Sequence, residues 1–402
     1  MHVAIIGGGF SGLLAGYLLK KKGIQVTVYE KEEFLGGHCR SLIVNKETIE
    51  LGTVFSFNDS IRSLLLELNV DFREQFTYRN FIDDHFSRVE QLSRHEVAQL
   101  IEELSRLEKI LARFTPDLNV ARYGYIHQDL LVPVYEFLAY YDLPVISKIM
   151  APHLSSYGFG SIKTLQAYYA FNIFNMQTLF SFIRGEKLLF MNKGFSELIS
   201  RLACNISDIR YGSAVCHIEW SEKNVIVKTA FEQNMYDKVL ISTKLPDNVI
   251  RDEAFAAHMK KIETNPYFVC VYETENRNLV TSYFYTRLGE ESKIQFFYSY
   301  PQKNKSILVA YAYGKITAAT VNEITSDLKR SGISIKHLIS SKQWEIFPHL
   351  SLENLKENFY SEIAEAQKNS PICFIGSLVS RPAIANLYNS VTKFIDDNFS
   401  IS

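Results

Sequence analysis

Gly7, Gly9 and Gly12 stand at the spacing Gly-x-Gly-x-x-Gly, directly after the apolar run Val3-Ala-Ile-Ile6 and directly before Leu13-Leu-Ala-Gly-Tyr-Leu-Leu19. A strand, a glycine turn and a helix in that order make a phosphate cradle. Gly7 permits the tight turn, Gly9 lets a pyrophosphate approach the main chain, and Gly12 lets helix and strand sit close. Phe10 and Ser11 open the helix, whose free N–H groups and positive dipole end face an anion. Gly23 ends the helix, and Ile24-Gln-Val-Thr-Val-Tyr29 reads as a second parallel strand closed by Glu30. A carboxylate about 20 residues past the glycines is placed to accept ribose hydroxyls. The chemistry expected here is dinucleotide binding.

Beyond Glu30 and Lys31 come the doublet Gly36-Gly37, then His38 and Arg40, and farther on Ile49-Glu50-Leu51-Gly52. An acidic residue followed by Gly-Gly and a nearby base resembles the extended fingerprint of the FAD-dependent amine oxidases and their relatives. The resemblance implies FAD rather than a nicotinamide dinucleotide. It puts the doublet beside the flavin half, Arg40 near the pyrophosphate and Gly52 near the isoalloxazine. It further implies that Val215 meets the adenine through its main chain. Gly376 and Ser377, at the end of the strand Ile372-Cys-Phe-Ile375, close the site, and the helix after Pro382 runs beneath the flavin. The cofactor-binding set is thus Gly7, Gly9, Phe10, Ser11, Gly12, Glu30, Lys31, Gly36, Gly37, His38, Arg40, Gly52, Val215, Gly376 and Ser377. At Ser377 the wider group carries a carboxylate, and a hydroxyl is the weaker acceptor, so FAD is expected to bind less tightly. No cysteine stands where monoamine oxidases attach flavin, so the FAD is expected to be non-covalent.

Several segments outside the cofactor motif are similar to the bacterial polyunsaturated fatty acid double-bond isomerases, a branch of the same flavoproteins. They are His127-Gln-Asp-Leu-Leu-Val-Pro133 with Glu136-Phe-Leu138, Ser155-Ser-Tyr-Gly-Phe-Gly160, Ser181-Phe182, and Trp344-x-x-Phe-Pro-His349 with Leu350-Ser-Leu-Glu-Asn354. The resemblance implies that Arg79, within Tyr78-Arg-Asn-Phe81, anchors a fatty acid carboxylate. A guanidinium is always charged and binds a carboxylate through two hydrogen bonds. The alternative for Arg79 is a solvated residue beside Asp83 and Asp84. Phe182 matches an aromatic that covers the carboxylate end. Around Arg381-Pro-Ala383 the isomerase pattern is not kept.

No Ser-His-Asp or metal-ligand constellation is present, and no side chain is assigned as a catalytic acid, base or nucleophile. Flavin hydride transfer on a lipophilic carboxylate is the function this implies. In the isomerase branch, hydride leaves the carbon between two alkenes and returns at the far end of the allylic cation, while aromatic walls orient and shield the chain. A peroxide-producing oxidase or a desaturase acting on amines or other metabolites is the competing enzyme reading. A flavoprotein that binds without turnover is the non-enzymatic one.

The elements that position these residues fit 402 residues with a net charge of −1 and no nucleic-acid footprint. Five scattered cysteines without a Cys-x-x-Cys pair suit a reducing, cytoplasmic setting. The first residues lack the basic start of a signal peptide, and no apolar run approaches the ~20 residues of a membrane span. The expected class is α/β: a discontinuous Rossmann-type FAD-binding domain with a helical insertion and an antiparallel-sheet substrate domain. The boundaries expected are 1–75, 189–252 and 366–402 for the FAD-binding parts, 76–188 for the helices and 253–365 for the sheet. In the helical stretch Ser93-x-x-Glu96 is a capping box, and Val97, Leu100, Ile101, Leu104, Leu107 and Leu111 read as one core-facing stripe. Ser213–Ile218 reads as a strand. Alternation in Tyr267–Tyr272, Ser282–Thr286, Ile294–Tyr298 and Ile307–Tyr311 predicts strands with tyrosines on one face, a wall for a substrate cavity. The aromatics between Tyr123 and Phe190 are expected to be mostly core, with a few lining an apolar tunnel. Tyr157-Gly-Phe-Gly160 lacks a third glycine and is not read as a phosphate loop. Oligomeric state is not legible.

Overall fold

Runs that are apolar on both faces need cover on both faces, and the chain meets that need with a parallel sheet between helices. The computed structural model describes residues 1–57, 59–118, 120–221 and 223–399. Among the described residues, five parallel strands lie in the order Asp208–Arg210, Gln25–Tyr29, His2–Ile6, Lys238–Ile241 and Ile372–Phe374. Val3, Ala4, Ile5, Val28, Val239, Leu240 and Ile241 are wholly buried. The helix Phe10–Lys21 is held between this sheet and the helices Phe195–Ala203 and Ile384–Asn398. Leu198, Ile199 and Leu202 face inward from the second of these, as their spacing predicts.

A second sheet shows the period of two. Its strands among the described residues run in the order Ile335–Leu350, Ile262–Thr274, Ser306–Tyr313, Ile294–Pro301, Thr281–Phe284, Arg79–Ile82 and Arg88–Val89. Tyr267, Val269 and Val271 share one cluster with Tyr311, Tyr313, Tyr283 and Trp344. The intervening Phe268, Cys270 and Tyr272 join Leu308, Ala310 and Ala312 in another. The tyrosine face is therefore real. The strands of 253–365 pair antiparallel with one another as expected, and the sheet is mixed only because Thr281–Phe284 also runs parallel to Arg79–Ile82, with Tyr283 opposite Phe81. The strand that carries Arg79 thus belongs to this sheet, although it lies in the stretch read as helical. It has four residues; a short hairpin joins it to Arg88–Val89, but its other partner lies about two hundred positions away.

Two other readings are corrected. Leu100, Leu107 and Leu111 of the helix Arg94–Ala112 are buried, but Val97 and Ile101 are 51% and 71% exposed. The buried face is centred on Leu100, Glu103, Leu107 and Leu111, which leaves Val97 and Ile101 outside it, and Glu103 is wholly buried there. Its carboxylate accepts from Val145 N at 3.2 Å and Ile146 N at 2.9 Å, serving the open start of the helix Pro144–Ser156. Residues 213–216 form no strand, which begins only at His217. Ser213 N instead donates to Glu30 O at 2.8 Å, so this segment crosses the end of the parallel sheet. The Ser93–Glu96 capping box is present with both of its hydrogen bonds. Among the described residues, no helix is long and apolar enough to cross a membrane.

Replacing Glu103 with alanine leaves two buried N–H groups without partners. We expect Glu103→Ala to lower stability by about 1–3 kcal/mol, read from urea unfolding. An unchanged midpoint would show that the helix start is satisfied otherwise.

Candidate active site

The cradle is built by backbone contacts. Gly7 follows the strand His2–Ile6 with φ +105°, in the region that favours glycine. A Cβ on Gly12 would lie 2.0 Å from the Gly7 carbonyl oxygen. Gly9 starts the helix without a side-chain cap, and no acidic residue stands in the first turn, so the leading N–H groups remain for an incoming anion. A Cβ on Gly9 would meet nothing closer than Gly36 O and Gly37 Cα, both at 4.0 Å. Gly9 also bridges to Gly36, whose N–H donates to Gly8 O at 2.8 Å. Gly376 closes the far side, where a Cβ would lie 2.6 Å from the Ser11 side chain. Ser377 follows in a short 3-10 turn. Phe10 and Ser11 are buried at the helix start.

Glu30 is buried, and its two carboxylate oxygens accept from Gly8 N at 2.8 Å and Glu32 N at 2.9 Å. It therefore braces the glycine loop. Val215 is buried two residues beyond Ser213, which binds the Glu30 carbonyl. Lys31 is exposed. Arg40 pairs with Glu32 at 3.3 Å and lies 4.6 Å over the Phe34 ring, while Lys342 reaches the same Glu32 at 3.2 Å.

His38 and Gly52 turn the other way, into a cavity of about 230 Å³. A Cβ on Gly52 would lie 2.3 Å from His38 O, so glycine is required for the two segments to approach. Desolvation by the surrounding protein pushes the His38 imidazole pKa down to about 4, with Lys342 adding to the shift. The cavity continues along Tyr157, Tyr267, Tyr283, Phe296 and Tyr311 of the aromatic wall, with Trp344, to Arg79 and Phe182. Pro382, Ala383 and the first turn of the C-terminal helix complete it. Burial holds the phenols of Tyr157 and Tyr267 well above their ordinary range, so these rings are neutral walls. Most of the 123–190 aromatics are core; Tyr157, Phe159, Phe174 and Phe182 line the cavity, and Tyr135 and Tyr140 are exposed.

Arg79 does not pair with Asp83 or Asp84. Asp83 accepts from His85 N and Ser87 N, and Asp84 from the Thr286 hydroxyl. The Arg79 guanidinium instead donates to His153 Nε2 at 2.9 Å and to Phe182 O at 3.3 Å, and lies 4.7 Å over the Phe182 ring. His153 is the residue that sequence reasoning missed. A single histidine inside an apolar helix carries no motif, and the strand that makes it significant arrives from elsewhere. The arrangement can hold an anion at one end of an apolar, aromatic slot whose other end meets the dinucleotide motif.

The chain belongs to the family of flavin containing amine oxidoreductases, whose sequence profile matches residues 10–334. The family implies a flavin cofactor, and the open face at Gly9, the uncapped helix start and the Gly376–Ser11 approach fit a phosphate-bearing dinucleotide. The crystal structure of a CLA-producing fatty acid isomerase from P. acnes has the same fold, with a TM-score of 0.91 over 99% of this chain and 98% of that one at 18% identity. A redesigned putrescine oxidase superposes with a TM-score of 0.77 over 100% and 99% of the two chains at 15% identity. Protoporphyrinogen oxidase 2 of Arabidopsis thaliana is 38% identical over 77 residues, 19% of this chain and only 15% of that protein. A 4,4'-diapophytoene desaturase of Methylomonas sp is 33% identical over 67 residues, 17% of this chain and 13% of that protein.

Glu50 was read only as part of a motif, yet it ties that motif to the next element. Its carboxylate accepts from Phe195 N and from the Ser41 hydroxyl, both at 2.8 Å, at the start of the helix Phe195–Ala203. Burial pushes its pKa up to about 7, against the pull of both donors. A raised carboxyl pKa means that the folded state holds a proton the unfolded chain has lost. Its contribution to stability is full below the unfolded value of about 4.3 and is lost as pH rises through 7. We expect Glu50→Gln to flatten the unfolding midpoint between about pH 4.3 and pH 7. A slope equal to that of the wild type would place the titration elsewhere.

Proposed function

We propose that this chain binds FAD non-covalently at the glycine cradle and acts on a long-chain unsaturated carboxylic acid, moving a double bond without net oxidation. The observation that carries the reading is one continuous cavity. It runs from His38 and Gly52 of the dinucleotide motif to Arg79, a cation with no carboxylate partner among the described residues. The fold shared with the CLA-producing fatty acid isomerase supports it.

Gly7, Gly9, Gly12, Gly36, Gly37 and Gly376 give the dinucleotide its approach, Phe10 and Ser11 offer main-chain N–H groups, and Glu30 and Val215 flank the adenosine end. Bound FAD supplies a centre that takes up and returns two electrons as hydride. Arg79 holds the substrate carboxylate by charged hydrogen bonds, and Phe182 covers that end. The tyrosine and phenylalanine faces fix the acyl chain, exclude water and lie close to any positive charge that develops on it.

The test is anaerobic incubation of the holoenzyme with linoleic acid, following flavin and conjugated-diene absorbance together. Diene growth with the flavin ending oxidised is the expected result. Lasting bleaching without diene would replace the reading with a desaturase or oxidase, and no change in either would remove linoleic acid as substrate. Arg79→Ala should raise KM for the acid about ten- to a hundredfold, matching about 1.5–3 kcal/mol for hydrogen bonds to a charged group. Flavin content should not change; loss of flavin in this variant would refute the assignment of Arg79.

A further inference from the structure

We propose that His153 is the positioning residue of the anion end. As a neutral, Nδ1-protonated ring it fixes the Arg79 guanidinium without neutralising it, which restricts the cavity to monoanionic carboxylates over esters and amines. The proposal rests on the carboxylate reading of Arg79 given above.

The geometry sets the tautomer. A guanidinium has donors only, so the 2.9 Å contact from Arg79 Nη1 requires a lone pair on His153 Nε2, and the ring proton sits on Nδ1. His153 is 1% exposed, and its Nδ1 has no partner among the described residues. The fold therefore leaves one buried donor unsatisfied while it keeps the acceptor on Arg79. The ring is locked in place. Phe174 lies parallel to it at 9° and 5.8 Å, Phe182 stands 4.4 Å away and Tyr283 5.2 Å away. Burial and the positive Arg79 both hold its pKa well below the ordinary range.

A second arginine in the same protein shows the alternative. Arg287 donates to both oxygens of the wholly buried Asp327, at 3.0 and 2.9 Å. The Asp327 carboxylate, which also accepts from Arg330 at 2.6 Å, offsets the arginine charge there. Imidazole in place of carboxylate gives Arg79 the same orientation and leaves its charge intact. Two of the five guanidinium N–H groups are used, on His153 and the Phe182 carbonyl. The others remain for two carboxylate oxygens. An ammonium ligand at this end would meet an uncompensated cation, and an ester would offer no charge.

The experiment measures dissociation constants of oleate and methyl oleate on the FAD holoenzyme, from the change in the flavin spectrum. Oleate has no carbon between two alkenes, so the probe is not turned over. His153→Leu should weaken oleate at least tenfold and methyl oleate less than twofold. His153→Gln, whose amide oxygen can accept from Arg79, should stay within threefold of wild type. In the Arg79→Ala background, His153→Leu should change oleate binding less than twofold.

Equal weakening of acid and ester, unchanged oleate binding in His153→Leu, or a glutamine variant as poor as leucine would overturn the proposal. If Arg79→Ala or esterification leaves binding unchanged, the carboxylate reading falls and this proposal with it. If Arg79→Ala weakens oleate and His153→Leu does not, only this proposal falls. Histidine ¹⁵N spectra of the wild-type holoenzyme decide the matter even if a variant does not fold. A neutral Nδ1–H ring whose Nε2 resonance shifts with oleate but not with the ester supports the assignment. An Nε2–H or doubly protonated ring refutes it.

Discussion

The Gly7 carbonyl occupies the space that a Cβ on Gly12 would need, and Gly376 meets Ser11 with equally little room. These main-chain approaches bring the first strand, the first helix and the last strand of the parallel sheet together at one point. The groove at Gly9 exists because nothing protrudes there. The loop 36–40 can close over that groove only because Gly36 bridges to Gly9 and Gly52 clears the His38 carbonyl. From that loop onward the cavity has its floor.

Three buried carboxylates maintain the arrangement, each by accepting main-chain N–H groups from another segment. Glu30 holds the Gly8 loop, Glu50 the start of the helix Phe195–Ala203, and Glu103 the start of the helix that carries His153. A carboxylate at a helix start satisfies orphan donors and meets the positive dipole end. These three acids are thus committed to backbone, whereas the buried Asp327 and Glu273 are paired with basic side chains. Arg79 stands in contrast, with an imidazole and a carbonyl as its neighbours. The electrostatic asymmetry of the cavity follows from this division.

What the sequence discloses depends on how far apart the interacting residues lie along it. The glycine cradle is local, with strand, turn and helix within about twenty residues, and its spacing is its meaning. The tyrosine wall is legible from alternation alone, because a period of two fixes which side chains share a face. Arg79 emerges only by resemblance: its strand is four residues long, its local partner Arg88–Val89 only two, and its other partner Thr281–Phe284 is remote. His153 is silent in the sequence, since its role exists only where its helix meets that strand. Val97 and Ile101 mislead for a related reason. Helical spacing of apolar residues missed that the buried face is centred on Leu100, Glu103, Leu107 and Leu111, with a carboxylate inside it.

The parallel pairing of Arg79–Ile82 with Thr281–Phe284 also has a consequence for biogenesis. On a ribosome the strand that carries Arg79 emerges together with its local partner Arg88–Val89, but about two hundred residues must follow before Thr281–Phe284 can join it. The five-stranded sheet waits longer still, until Ile372–Phe374 can join Lys238–Ile241. Contacts of such separation form slowly and leave strand edges unpaired in the meantime. A nascent chain of this protein therefore carries its glycine loop early and its aromatic cavity late, so that the cavity closes only against a nearly complete molecule.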